Sequence, residues 1–245
     1  MERKINYLIL ILLFPLLMAA ATPAERVYNA YINGDMEQWR LVLKEVQQLR
    51  SPSLKDRLER VNYQYGYIAW CIGNSRYDEA KEWIPRMAAD LDVLEKASYS
   101  LSTVYAYKAA YYGYRIGVSK LQAPFLGPKS NDYAKKAIKT DAGNPLGYQQ
   151  YGNILFYTPF LFGGSKEDAA GHLLKAMKLM EAKPEQLQWN WNYLSLLTAI
   201  AELYYETDNQ KMAVYYLQKT LTKEPAYQWV KNELLPLYLK KNNKK

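Results

Sequence analysis

The sequence predicts an all-α protein built as an array of about five stacked antiparallel helix pairs. Residues 113–180 hold one piece of sequence twice, 35 positions apart: Gly117 corresponds to Gly152, Pro124-Phe125-Leu126 to Pro159-Phe160-Leu161, Ser130 to Ser165 and Ala134 to Ala169. A period in the middle thirties is the length of one helix–turn–helix unit in a helical repeat. Helical periodicity also runs through the chain beyond its first two dozen residues, with no convincing period-2 stretch. A single pair is too small to bury its apolar stripe, so neighbours must stack.

The first 24 residues read as a secretory signal peptide. Arg3 and Lys4 are followed by the aliphatic run Tyr7 to Met18, then by small residues that offer cleavage after Ala21 or Ala24. Counted on through the alanines to Ala21, the apolar run is about 15 residues, shorter than the roughly 20 that cross a bilayer as a helix. No cysteine follows it for lipid attachment. The expectation is a periplasmic or secreted protein without a stable membrane span after cleavage, with residues 25–245 forming the repeat domain.

The helix pairs follow in order. Arg26 to Leu49 offers an N-terminal pair with a Gly34-Asp35 turn. Val61 to Leu94 forms a second, with Tyr77-Asp78-Glu79 opening its second helix. Ser98 to Asp141 and Leu146 to Ala182 form the third and fourth, and each is expected to carry about five extra residues in its turn. In the last unit Leu197, Ile200, Ala201 and Tyr204 make one stripe. Thr207-Asp208-Asn209 breaks it, and Ala213, Leu217 and Thr220 make the second helix before Pro225.

The order large, small, aromatic, Ala, Pro in that unit (Leu197, Ala201, Tyr204, Ala213, Pro225) resembles the tetratricopeptide repeat. Leu197 stands where that family usually has Trp, and Thr220 where it usually has Ala. The resemblance weakens towards the N-terminus, with Gly66, Gly117 and Gly152 at the small positions. It implies a right-handed superhelical α-solenoid of bacterial export type, with a concave face lined by the first helix of each pair. It also implies a non-catalytic scaffold that holds a protein or peptide. Some periplasmic proteins of similar fold serve solute uptake instead, so a small apolar ligand is the alternative.

Composition narrows the chemistry. The single Cys71 excludes an intramolecular disulfide, and its apolar helix makes it a buried, inert thiol. His172 is the lone histidine, so no zinc site is expected. Gly163-Gly164-Ser165-Lys166 lacks the P-loop spacing, and no nucleophile elbow or distinctive acid/base pair is present. No enzyme activity, cofactor or metal is therefore expected. Net charge is +8, with lysines gathered at the C-terminus, but export makes nucleic acid an unsuitable partner.

Two features stand as candidate binding sites. The duplicated Pro-Phe-Leu segments are read as lengthened turns on one edge, with Ser130 and Ser165 as helix N-caps. Phe125 and Phe160 are then either lips over the groove or plugs between repeats. The 24 tyrosines crowd the first helices. Residues at i and i+2 face different directions, so Tyr63 and Tyr65, or Tyr105 and Tyr107, are not all expected in the core. Tyr105, Tyr107, Tyr148 and Tyr151 are the candidates for an aromatic groove.

Overall fold

The computed structural model describes residues 21–240, so the proposed signal segment through Ala20 lies outside the described residues. Five antiparallel pairs follow one another: α1 (Pro23–Asn33) with α2 (Met36–Gln47), α3 (Leu54–Gly73) with α4 (Tyr77–Lys96), α5 (Leu101–Val118) with α6 (Ala123–Thr140), α7 (Pro145–Tyr157) with α8 (Lys166–Glu181), and α9 (Trp191–Glu206) with α10 (Gln210–Lys223). A π-helical turn, Val230–Leu234, leads into α11 (Leu235–Lys240), which packs on α10. There is no strand among the described residues.

Short polar residues set the helix starts. The side chains of Thr22, Asp35, Asn190 and Asn209 each accept a backbone N–H from the first turn of α1, α2, α9 and α10. Ser53 and Asp56 form a reciprocal capping box on α3. Each such cap contributes about 1 kcal/mol by satisfying an otherwise unpaired donor. Gly34 closes α1 at φ 71°, a left-handed backbone that suits the expected turn.

The small positions work as the repeat pattern implies. A Cβ on Gly152 would lie 2.8 Å from Leu173, so the missing side chain lets α8 settle against α7. Ala201 and Ala213 are both fully buried where α9 meets α10.

The concave side departs from expectation, because the first helices close on one another and fill the groove. The end of the chain returns to its beginning. Tyr31 on α1 packs against Trp191 on α9 at 5.7 Å and against Tyr227 at 5.0 Å. Tyr28 donates a 2.8 Å hydrogen bond to Glu224, 196 residues away in the chain. Trp191 also meets Trp39 at 5.0 Å and Tyr65 at 5.8 Å, and its indole N–H donates to Asn62 Oδ1 at 3.0 Å.

Tyr63, Tyr65, Tyr105 and Tyr107 are consequently all buried, contrary to the i/i+2 expectation. The two directions do differ, but both lead into protein: one towards the paired helix, the other towards the closed axis. Two of the hydroxyls find partners there. Gln150 donates to Tyr65 Oη at 2.9 Å, and Asn62 donates to Tyr107 Oη at 2.7 Å.

Gly66 makes this closure possible. A Cβ there would stand 2.6 Å from the rings of both Trp39 and Trp191. Neither ring moves freely, since Trp39 Nε1 donates to the Tyr63 carbonyl at 3.1 Å and Trp191 Nε1 is held by Asn62. Gly66→Ala gains about 1 kcal/mol of helix propensity but overpacks a dense core, which costs about 1–3 kcal/mol. A net loss of up to about 2 kcal/mol is expected in urea unfolding, against a gain for the same change at Gly113, where a Cβ would meet open space.

The second device unseen in the sequence is a buried ion cluster joining α2, α3 and α4. Asp90 accepts from Arg60 Nε at 2.7 Å and from Arg60 Nη2 at 2.5 Å, and also from Arg57 Nη1 at 2.9 Å. Arg60 Nη1 reaches back to the Val46 carbonyl at 3.1 Å. Asp90 and Arg60 are both buried, while Arg57 extends towards solvent.

Candidate functional site

The duplicated segments adopt two different structures. In the second copy Phe160–Phe162 forms a single 3-10 turn, and Gly163 follows at φ 89°. Ser165 then caps α8 by accepting from Asp168 N at 3.1 Å, as expected. Ser165 N donates back to the Leu155 carbonyl at 3.0 Å, which folds the loop onto α7. A Cβ on Gly164 would lie 1.7 Å from the Thr158 carbonyl oxygen, so this position accepts no side chain.

The first copy is a helix, which corrects the reading of a lengthened turn. α6 starts at Ala123, with Pro124 in its first turn, and runs through Phe125 and Ser130. Ser130 is no cap; its buried hydroxyl donates to the Ala109 carbonyl at 2.8 Å and ties α6 to α5. The physical reason lies in the substituted positions. Pro128 stands where the second copy has Gly163, and its ring holds φ near −65°, far from the required positive value. Lys129 stands where Gly164 must lack a side chain.

Neither phenylalanine plugs a gap between repeats. Phe125 is 76% exposed and Phe160 is 86% exposed. Leu121, Leu161 and Phe162 are as open, and Tyr157 is exposed beside them with its hydroxyl donating to Glu202 at 3.4 Å. The links from α5 to α6 and from α7 to α8 both leave the ends of first helices, so the two groups stand at the same end of neighbouring pairs. Six large apolar side chains thus form an edge, accompanied by Lys120, Lys129 and Lys166. Lys166 is paired with Glu206 at 2.9 Å.

The other candidates do not join this edge. Tyr105 is buried between α5 and α6, near Tyr133, with Lys136 Nζ 3.9 Å from its ring centre. Tyr107 is buried at the closed axis, so neither contributes to an open groove. Tyr148 and Tyr151 are half-buried and meet instead on His172, Tyr148 stacked at 6.0 Å and Tyr151 edge-on at 4.6 Å. Burial lowers the His172 pKa, with Asp168 opposing. Cys71 is buried, and burial followed by the nearby Glu79 pushes its thiol up to about 12, which leaves it unreactive. No cluster of metal-ligating side chains occurs among the described residues.

The fold defines a helical-repeat protein of tetratricopeptide-like architecture with exposed apolar side chains at one end. No protein-family model matches the chain, and no curated protein matches its sequence. Among solved structures the chain is similar to the HusA haemophore from Porphyromonas gingivalis, at a TM-score of 0.61 and 17% identity over 77% of this chain and 96% of that one. It also aligns with the APC/C hetero-tetramer Cut9–Hcn1 at 13% identity over 88% of this chain and 48% of that one, but the TM-score of 0.25 is too low to carry an argument. The haemophore likeness establishes the fold. No helix among the described residues is long and apolar enough to cross a membrane.

Proposed function

We propose that the protein is an exported, non-catalytic binding protein that captures a flat, apolar molecule bearing acidic groups on its exposed edge. The observation that carries this reading is the edge itself: Phe125, Phe160 and Phe162 present open rings with no role in the core. Lys120 and Lys129 supply positive charge beside them. Haem has this chemistry, a flat apolar ring system with carboxylates, and the structural neighbour is named as a haemophore. Export rests on the N-terminal segment, and the non-catalytic reading rests on the lack of a nucleophile or acid/base motif in the sequence.

The open peptide groove through Tyr105 and Tyr107 loses its support, because the aromatic axis occupies that space. A protein partner remains a second reading for the same edge, favoured by the spread of the apolar residues over two neighbouring repeats. Haem titration of the 25–245 chain, followed by absorbance, separates the two. The triple variant Phe125→Ser/Phe160→Ser/Phe162→Ser should keep its helical circular dichroism and bind haem at least about tenfold more weakly, since three apolar contacts are lost. No haem binding by the unaltered chain, with an envelope protein retained by it and lost by the variant, would favour the protein partner.

A further inference from the structure

The charges along the apolar edge are sorted by sign. On the third pair Lys120 and Lys129 are exposed on either side of Phe125, and Lys129 extends over the Tyr112 ring, 5.9 Å from its centre. Arg115, near the end of α5, adds a third cation and donates to Gln122 at 2.9 Å. No Asp or Glu lies between Glu95 and Asp132 in the sequence, and Asp132 stands further along α6 from the edge than Lys129.

The other side is acidic. Glu202 and Glu206 lie one turn apart on α9 and hold both stems of the second loop. Glu202 accepts from Tyr157, the last residue of α7, at 3.4 Å. Glu206 pairs with Lys166, the first residue of α8, at 2.9 Å. Phe160 and Phe162 therefore project beside these carboxylates, while Phe125 projects beside the lysines. Packed helices lie roughly 8–10 Å apart, so one or two such spacings separate the two poles.

The two sides treat a ligand's acid groups differently. Lys120 and Lys129 attract them. Lys166 offsets only Glu206, and burial, followed by Glu206 itself, raises the Glu202 pKa. A ligand carboxylate placed there would meet the same two penalties. A ring with acids on every margin would set some of them against Glu202 and Glu206. A ring with cations on every margin would set some against Lys120 and Lys129. A ring with acids on one margin alone satisfies both poles.

Resting on the reading of the edge as a site for a flat apolar molecule, we propose that these four residues set its specificity and orientation. Lys120 and Lys129 draw the acidic margin of the ligand, and Glu202 and Glu206 exclude acids from the opposite margin. The substrate class is then a flat ring system with its carboxylates on one side only, turned towards α6.

Fluorescence titration of the 25–245 chain at low salt tests this with metal-free porphyrins. Protoporphyrin carries its carboxylates on one margin, uroporphyrin carries them on every margin, and a third porphyrin carries cationic groups on every margin. Protoporphyrin should bind at least about tenfold more tightly than either of the others, since like charges brought together are costly. Uroporphyrin is also less apolar, so the variants carry the decision. Glu202→Gln/Glu206→Gln should cut the protoporphyrin-to-uroporphyrin ratio several-fold. The exposed single change Glu206→Gln should move it the same way if the double variant loses urea stability. Lys120→Gln/Lys129→Gln should weaken protoporphyrin several-fold at low salt and less at high salt.

Protoporphyrin binding with a ratio that the glutamate variants leave unchanged overturns the proposal and leaves the reading of the edge standing. So does protoporphyrin binding that the lysine variant leaves intact, or a uroporphyrin or cationic ring bound as tightly. No binding of any porphyrin overturns both.

Discussion

Asp90→Ala is expected to lower stability by about 3–5 kcal/mol, because it leaves the Arg60 guanidinium buried without its carboxylate. Folded domains are stable by only about 5–15 kcal/mol, so this is a large fraction of the whole. Arg57 cannot take over the role: it bonded the same carboxylate and reaches solvent when released. The midpoint of urea unfolding reports the loss. Removing both charges should behave differently. Arg60→Met/Asp90→Leu replaces the pair with apolar bulk and is expected to recover most of the stability, since a buried pair seldom outweighs its own desolvation. A double variant as weak as Asp90→Ala would show that the cluster is needed for the geometry of α2, α3 and α4.

Trp191→Ala is the second large expectation, at about 3–5 kcal/mol for a big buried aromatic. Its particular consequence is spatial. Trp191 touches Tyr31, Trp39 and Tyr65, which belong to the first two pairs, while it stands on the fifth. Losing the indole should therefore release α1 and α2 as well as α9. Hydrogen exchange measured by mass spectrometry should show faster exchange in residues 23–47, more than 140 positions from the substitution. Faster exchange confined to α9 would mean that the terminal pairs are held by Tyr28 and Glu224 without help from the tryptophan.

Much of the architecture was legible from local pattern. Helix boundaries followed from Gly34, from Thr207-Asp208-Asn209 and from the polar caps, because these signals act within one turn of chain. Gly152 and Ala201 were legible as small positions because a neighbouring helix repeats at fixed spacing. The difference between the two Pro-Phe-Leu copies was also written in the chain, as Pro128 against Gly163 and Lys129 against Gly164. Similarity in the flanking residues masked it.

The closed axis was not legible, since it depends on the small rotation each pair adds to the next. No local pattern encodes the sum that brings Tyr28 to Glu224. Arg60 and Asp90 look like ordinary surface charges on two amphipathic helices, and only the packing makes them a buried pair. The candidate site was half legible. Phe125 and Phe160 were found from their repetition, whereas Leu121, Tyr157 and Phe162 fall outside the repeated Pro-Phe-Leu and carry no local sign of their exposure.

The meeting of the first and fifth pairs also bears on how such a chain can change over generations. An open solenoid gains or loses a unit by duplication or deletion at little structural cost, since each unit needs only its neighbours. Here one unit more or fewer would carry Tyr31 away from Trp191 and expose the aromatic axis to water. The number of pairs is locked by geometry, and divergence in this lineage should proceed by substitution and loop change rather than by unit copy number.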